Sequence, residues 1–145
     1  MSPEAERAAE AFEWLAKVSL DLRGARIDLQ AVPPLVEDAL FHCQQAIEKA
    51  LKALLVWHDT PFRKTHSLEE IGRVCTSLDG ALNDIVDEAV PLTEYAWAFR
   101  YPGAPPTPER EEAEHALDVA ERVVRAVVER LPRSAVPPEL RSGPK

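Results

Sequence analysis

Cysteine is scarce in this chain: 145 residues contain only Cys43 and Cys75, with no Cys-x-x-Cys and no paired Cys/His spacing. Neither a disulfide framework nor a thiolate zinc cage is expected from that usage, and a reducing, cytoplasmic setting fits it best. Long apolar runs are also missing, since no stretch reaches the roughly 18 residues that a membrane helix needs. The opening MSPEAERAAEAFEWLAKV has no basic stretch followed by an apolar core, so no secretory leader is expected. Glycine-rich phosphate loops, a Gly-x-Ser-x-Gly elbow and a His-Glu-x-x-His pair are all absent. Metal ligation and cofactor dependence are therefore not expected.

Positive charge is the last shortage. Lys and Arg number 17 against 25 Asp and Glu, for a formal net charge of -8. Such a surface repels a phosphate backbone over most of its area, which argues against long duplex DNA as a partner but leaves room for a local basic pocket. The densest basic cluster is Arg63, Lys64 and His66, with Arg73 shortly after. Either a solvated loop or a phosphate site would account for it.

What the chain does contain is helix periodicity. With 46% apolar residues it can bury one sizeable core. Ala11, Leu15, Val18, Leu22, Ala25 and Leu29 alternate at four and three, marking a helix over Glu4 to Leu29. Pro33 and Pro34 punctuate the chain, and a second helix is expected from Leu35 to Trp57. Its apolar arc is Leu40, Cys43, Ile47, Ala50, Leu51 and Leu54, with His42, Gln45, Lys49 and Lys52 opposite. Gln44 and Glu48 fall near the arc's edge, as half-buried polar groups that need partners.

Ser67 followed by Glu70 has the capping-box spacing of a short helix over Ser67 to Thr76. Leu82, Ile85, Val86 and Ala89 mark a further helix, which Pro91 should kink or divide before it continues through Leu92, Tyr95, Ala96 and Phe99. After the proline-rich PGAPPTP, Thr107 and Pro108 are placed to start a last helix carrying Ala113, Leu117, Ala120, Val124, Val127 and Leu131 inward. The fold expected is all-α, an antiparallel up-and-down bundle of four main helices plus a short one. One domain over residues 1–131 is expected, followed by a disordered proline-rich tail, 132–145.

Three pieces then resemble one family: FHCQQAIEKALKALLVWHDTP, KTHSLEEI, and LTEYAWAFRYPG ahead of a final helix. In content and order they are similar to the HEPN domain, over roughly Glu4 to Leu131. That resemblance implies a helical domain often encoded beside a minimal nucleotidyltransferase, many such pairs acting as toxin and antitoxin. It also implies a homodimer. Some members are metal-independent endoribonucleases with an Arg-x(4 to 6)-His motif at the dimer interface, and others are nucleotide- or RNA-binding modules. The carboxylate signature of the transferase itself is missing, so this chain would be the partner.

Ribonuclease chemistry would need a base for the ribose 2′-hydroxyl and a cation for the phosphorane. The spacing occurs once, as Arg110-Glu-Glu-Ala-Glu-His115. Among 12 arginines and 4 histidines, about one such match is expected by accident, and three glutamates crowd this one. Arg100 aligns better, since it begins the Arg-Tyr-Pro of the third piece, yet no histidine follows it at that spacing. Arg100 with Tyr101 is therefore a candidate nucleotide or RNA contact, or Arg100 pins helices by pairing with Gln44 or Glu48. His66 and Lys64, beside the capped start at Ser67, are a further candidate phosphate contact. His42 would be exposed or part of a subunit contact. The reading expected is a nucleotide- or RNA-associated interaction module; the alternatives are an endoribonuclease toxin and a purely structural dimer.

Overall fold

Ser2 opens the first helix: its hydroxyl accepts from the Ala5 N–H at 3.1 Å, and Pro3 sits in the first turn, where no backbone donor is required. Helix α1 spans Pro3–Gln30. The computed structural model describes residues 1–141, and among them no strand forms. All six residues of the expected α1 seam are buried.

Helix α2, Val36–Trp57, folds back on α1. The Leu35 N–H donates to the Asp28 carbonyl at 2.9 Å at one end, and at the other Arg7 donates to the Trp57 carbonyl at 3.1 Å. The two helices are therefore antiparallel, with a cation at the negative end of the α2 dipole. The apolar arc of α2 is buried as expected, but its far side is not open to water. Lys52 is buried and His42 is half-buried against α1, because α1, α3 and α5 enclose α2 from several sides.

Helix α3, Leu68–Leu78, starts where the Ser67 hydroxyl accepts from the Glu70 N–H. Only half of the capping box forms. The Glu70 carboxylate is taken by Arg63, and the Ser67 N–H donates to Thr65 Oγ1 instead. Helix α4 is short, Asn83–Ala89, and Pro91 sits at the start of a 3₁₀ segment, Val90–Ala96, that replaces its continuation. Helix α5, Arg110–Val128, begins later than Thr107, whose hydroxyl donates to Glu37 on α2 rather than capping a helix. Three ion pairs or hydrogen bonds, Asp79 to Arg130, Glu88 to Arg122 and Tyr95 to Glu112, align α4 and its 3₁₀ extension antiparallel to α5.

The bundle is all-α, but its elements differ from four main helices and a short one. Three are long, α1, α2 and α5, at 28, 22 and 19 residues, and two are short, α3 and α4, at 11 and 7. Pro91 is the physical reason, since it withholds the backbone donor that a fourth long helix would need. The expected disordered tail is also corrected as far as Arg141. Two 3₁₀ turns, Arg133–Ala135 and Pro138–Leu140, bury Ala135 and Val136, and the first of them packs on α1. Low apolar content did not prevent packing, because those few side chains meet an existing surface. The rest of the expected tail, 142–145, lies outside the described residues.

Close packing of α3 on α4 depends on Gly72. A Cβ there would lie 2.5 Å from Cγ1 of the buried Val86. Overpacking of this kind costs about 1–3 kcal/mol, more than the roughly 0.8–1 kcal/mol that alanine's helix propensity returns. Gly72→Ala should lower the urea midpoint, and adding Val86→Ala should recover part of the loss. A single variant as stable as the wild type would show that this contact is slack.

Candidate functional site

Phe41, on the first turns of α2, presents its ring to the chain that leaves the 3₁₀ segment. Arg100 lies on it, with the guanidinium carbon 3.9 Å from the ring centroid. Tyr95 and Phe99 stack beside it, centroids 6.2 Å apart at 21°. Together with Asp38 and Thr107 these residues line a groove of about 420 Å³. The nearest carboxylate oxygen, on Asp38, is 4.0 Å from Arg100 Nη1, and the arginine side chain, which lines the groove, is 45% exposed. Burial and the hydrogen bond to Glu112 hold the Tyr95 phenol protonated far above its usual range.

Behind this wall lies a cluster of acids around His42. Its Nδ1 bonds Asp21 Oδ1 at 2.8 Å, and its Nε2 lies 3.3 Å from Asp38 Oδ2. Lys49 donates to the other Asp21 oxygen at 2.7 Å, which completes that carboxylate. Gly24 makes the approach possible, since a Cβ there would stand 3.0 Å from His42 Nε2. Asp28, from the last turn of α1, is buried beside Asp38, and its Oδ2 has no hydrogen-bond partner. Burial and the adjacent Asp38 carboxyl push Asp28 up to about 7.

A second polar network runs along another face of α2 at a spacing of four: Gln44, Glu48 and Lys52. Gln44 Nε2 donates to Glu48 Oε1 at 3.2 Å, Lys52 donates to Glu48 Oε2 at 2.9 Å, and His66 Nδ1 lies 2.9 Å from Glu48 Oε1. Lys52 also sits over the rings of Trp14 and Phe62, at 5.6 and 5.7 Å. Burial opposes the charge on Glu48, but the bonds from His66, Lys52 and Gln44 outweigh it and hold the carboxyl below its ordinary range.

These placements correct several sequence expectations. Arg100 does not pair with Gln44 or Glu48, because those two satisfy each other and Lys52 on a different face of α2. Tyr101 is 76% exposed. The basic cluster is largely neutralised: Arg63 pairs with Glu70, Arg73 with Glu69 and Asp87, and His66 with Glu48. Lys64 is exposed beside them and forms no ion pair among the described residues. Arg110 pairs with Glu114 at 3.7 Å rather than with His115, and both positions are exposed away from the groove. Burial pushes the thiols of Cys43 and Cys75 up to about 12, so neither is a nucleophile.

Phe41, Asp38, Asp28 and Asp21 were not foreseen as site residues. The signal for Phe41 was in the FHCQQ motif, where an aromatic residue precedes His42. Asp38 precedes His42 by one helical turn, a spacing the sequence shows; for Asp21 and Asp28 no signal existed, because the α1–α2 hairpin brings them there.

The Glu48 network gives a pH dependence with a definite sign. Its folded carboxyl titrates below the unfolded value of about 4.3, so its stabilisation is complete above that pH and is lost on further acidification. Glu48→Ala should remove this acid-side contribution and, by leaving Lys52 buried and unpaired, cost roughly 3–5 kcal/mol at neutral pH. Urea titrations at pH 7 and pH 3.5 check both statements, and an unchanged neutral midpoint would refute the second.

Comparison with known proteins places this geometry in a family. The family model for the HEPN domain matches residues 11–131. Neither the curated proteins nor the solved structures return a match. The matched span takes in most of α1, all of α2, the groove at Arg100 and the whole of α5. The chain belongs to the HEPN domain family.

Proposed function

We propose that this HEPN protein is a nucleotide- or RNA-associated binding and interaction module whose contact surface is the Arg100 groove. The observation that carries the reading is Arg100 held over the Phe41 ring beside the stacked Tyr95 and Phe99. Aromatic faces stack any base, with roughly 1–3 kcal/mol per base, and a half-exposed guanidinium can take a phosphate oxygen in a fork. Family membership supports the general nucleotide or RNA association. A homodimer that docks a minimal nucleotidyltransferase, in a toxin–antitoxin-like pair, is the setting we infer for it.

The competing reading is a metal-independent endoribonuclease. What favours it is that Asp38 lies between Arg100, at 4.0 Å, and His42, at 3.3 Å, so folding supplies an arginine and a histidine that the chain spacing lacks. Both His42 nitrogens already face carboxylates, which limits it as a base.

Calorimetry with nucleoside mono- and triphosphates and a short single-stranded RNA separates these readings. Arg100→Ala should weaken binding by tenfold or more, whereas Lys17→Ala should not. Affinity should fall with salt at a log–log slope of only about -0.7, as for one phosphate contact. Absence of binding to every probe would remove the module reading. RNA cleavage in EDTA, lost in Arg100→Ala, would replace it with the nuclease.

A further inference from the structure

The acids behind the groove have a geometry that neither the family nor the proposed binding role explains. Asp28, Asp38 and His42 each bring one donor atom to a common point, all within 4.8 Å of one another. Asp28 is 7% exposed and its Oδ2 has no partner. An unpartnered buried carboxylate oxygen is costly, and two carboxylates side by side repel unless a shared proton or a cation lies between them.

Asp21 settles which face of His42 is turned to that point. His42 Nδ1 lies 2.8 Å from Asp21, and Lys49 fixes the other Asp21 oxygen, so that carboxylate can hold a proton on Nδ1 while Nε2, the atom turned toward Asp38, is given up to a cation. Nε2 stands 3.3 Å from Asp38 Oδ2, where either a ring proton or a bound cation joins the two groups. A carboxylate that bonds the remote nitrogen of a histidine is the usual support of a metal-ligating imidazole.

We propose that Asp28, Asp38 and His42 form a binding site for one divalent transition cation, with Asp21 as the positioning residue for His42. Two carboxylate oxygens and one imidazole nitrogen suit Zn²⁺ or Mn²⁺ better than Mg²⁺ or Ca²⁺, which favour oxygen alone. Ligand distances of about 2.0–2.2 Å put neighbouring donors of a tetrahedral site roughly 3.4 Å apart; His42 Nε2 and Asp38 Oδ2 already stand at 3.3 Å, so any closing movement falls on Asp28. Three protein ligands leave positions open, and the 46% exposed Asp38 side chain, which also lines the groove, puts that open side toward Arg100. The site stands independently of any nucleotide reading.

Calorimetry of the full chain with Zn²⁺, after stripping with EDTA and dialysis, tests this directly. One equivalent should bind, with Mg²⁺ competing poorly, and Mn²⁺ should broaden the ring resonances of His42 before those of His58. Asp28→Asn and Asp38→Asn should each abolish the saturable site, Asp21→Asn should weaken it by roughly 10–100-fold, and the exposed His58→Ala should leave it intact. Should Asp28→Asn fail to fold, the half-exposed Asp38→Asn decides. No one-equivalent uptake by the wild type, which would mean that Asp28 and Asp38 merely share a proton, overturns the proposal. So does wild-type affinity in a folded Asp28→Asn or Asp38→Asn.

Discussion

Helix α2 is enclosed, and the rest of the molecule is arranged around that constraint. With α1, α3, α5 and the 3₁₀ segment packed on it, α2 has little surface on which to leave a polar side chain in water. Yet it carries His42, Gln44, Glu48, Lys49 and Lys52. An unpaired buried charge is more costly than the whole stability of a small domain can absorb repeatedly. Each of these residues therefore needs a partner inside the fold, and the neighbouring elements supply them.

The polar residues of α2 meet that requirement in two different ways. Gln44, Glu48 and Lys52 repeat at four, so one helix provides acceptor, donor and charge balance, and only His66 and two aromatic rings come from outside. That row is closed: both Glu48 oxygens have donors. The row of Asp38, His42 and Lys49 depends on α1 instead, through Asp21 and Asp28, and it ends on a carboxylate oxygen with no partner. A closed network holds helices together, as Glu48 does. An open one that borders a groove has capacity for something more.

The same distinction explains what could be read from the residues alone. The α1 seam and the apolar arc of α2 follow from periodicity, and the structure buries them. Ser67 as a cap and Pro91 as a break are local chemistry and were equally legible. Lys52 and His42 were placed on a solvent side because a helical wheel knows one partner surface, whereas α2 has several. Arg100 was given the wrong neighbour. Its contact with Phe41 joins residues distant in the chain, and nothing in the spacing of either segment encodes that meeting. Asp38 and His42 are one turn apart on α2, but the arrival of Asp28 beside them is hidden for the same reason, since Gly24 and the hairpin create it.

The groove itself arises where helical regularity fails. Around Pro91 the chain winds as 3₁₀ over seven residues, Val90–Ala96. At about 2.0 Å rise per residue rather than 1.5, that stretch advances roughly 14 Å where an α-helix would advance about 10.5. The extra 3.5 Å or so carries Tyr95, Phe99 and Arg100 outward to the first turns of α2, where Phe41 receives the guanidinium. The break that makes the bundle irregular is thus also what assembles the aromatic and cationic wall of the site.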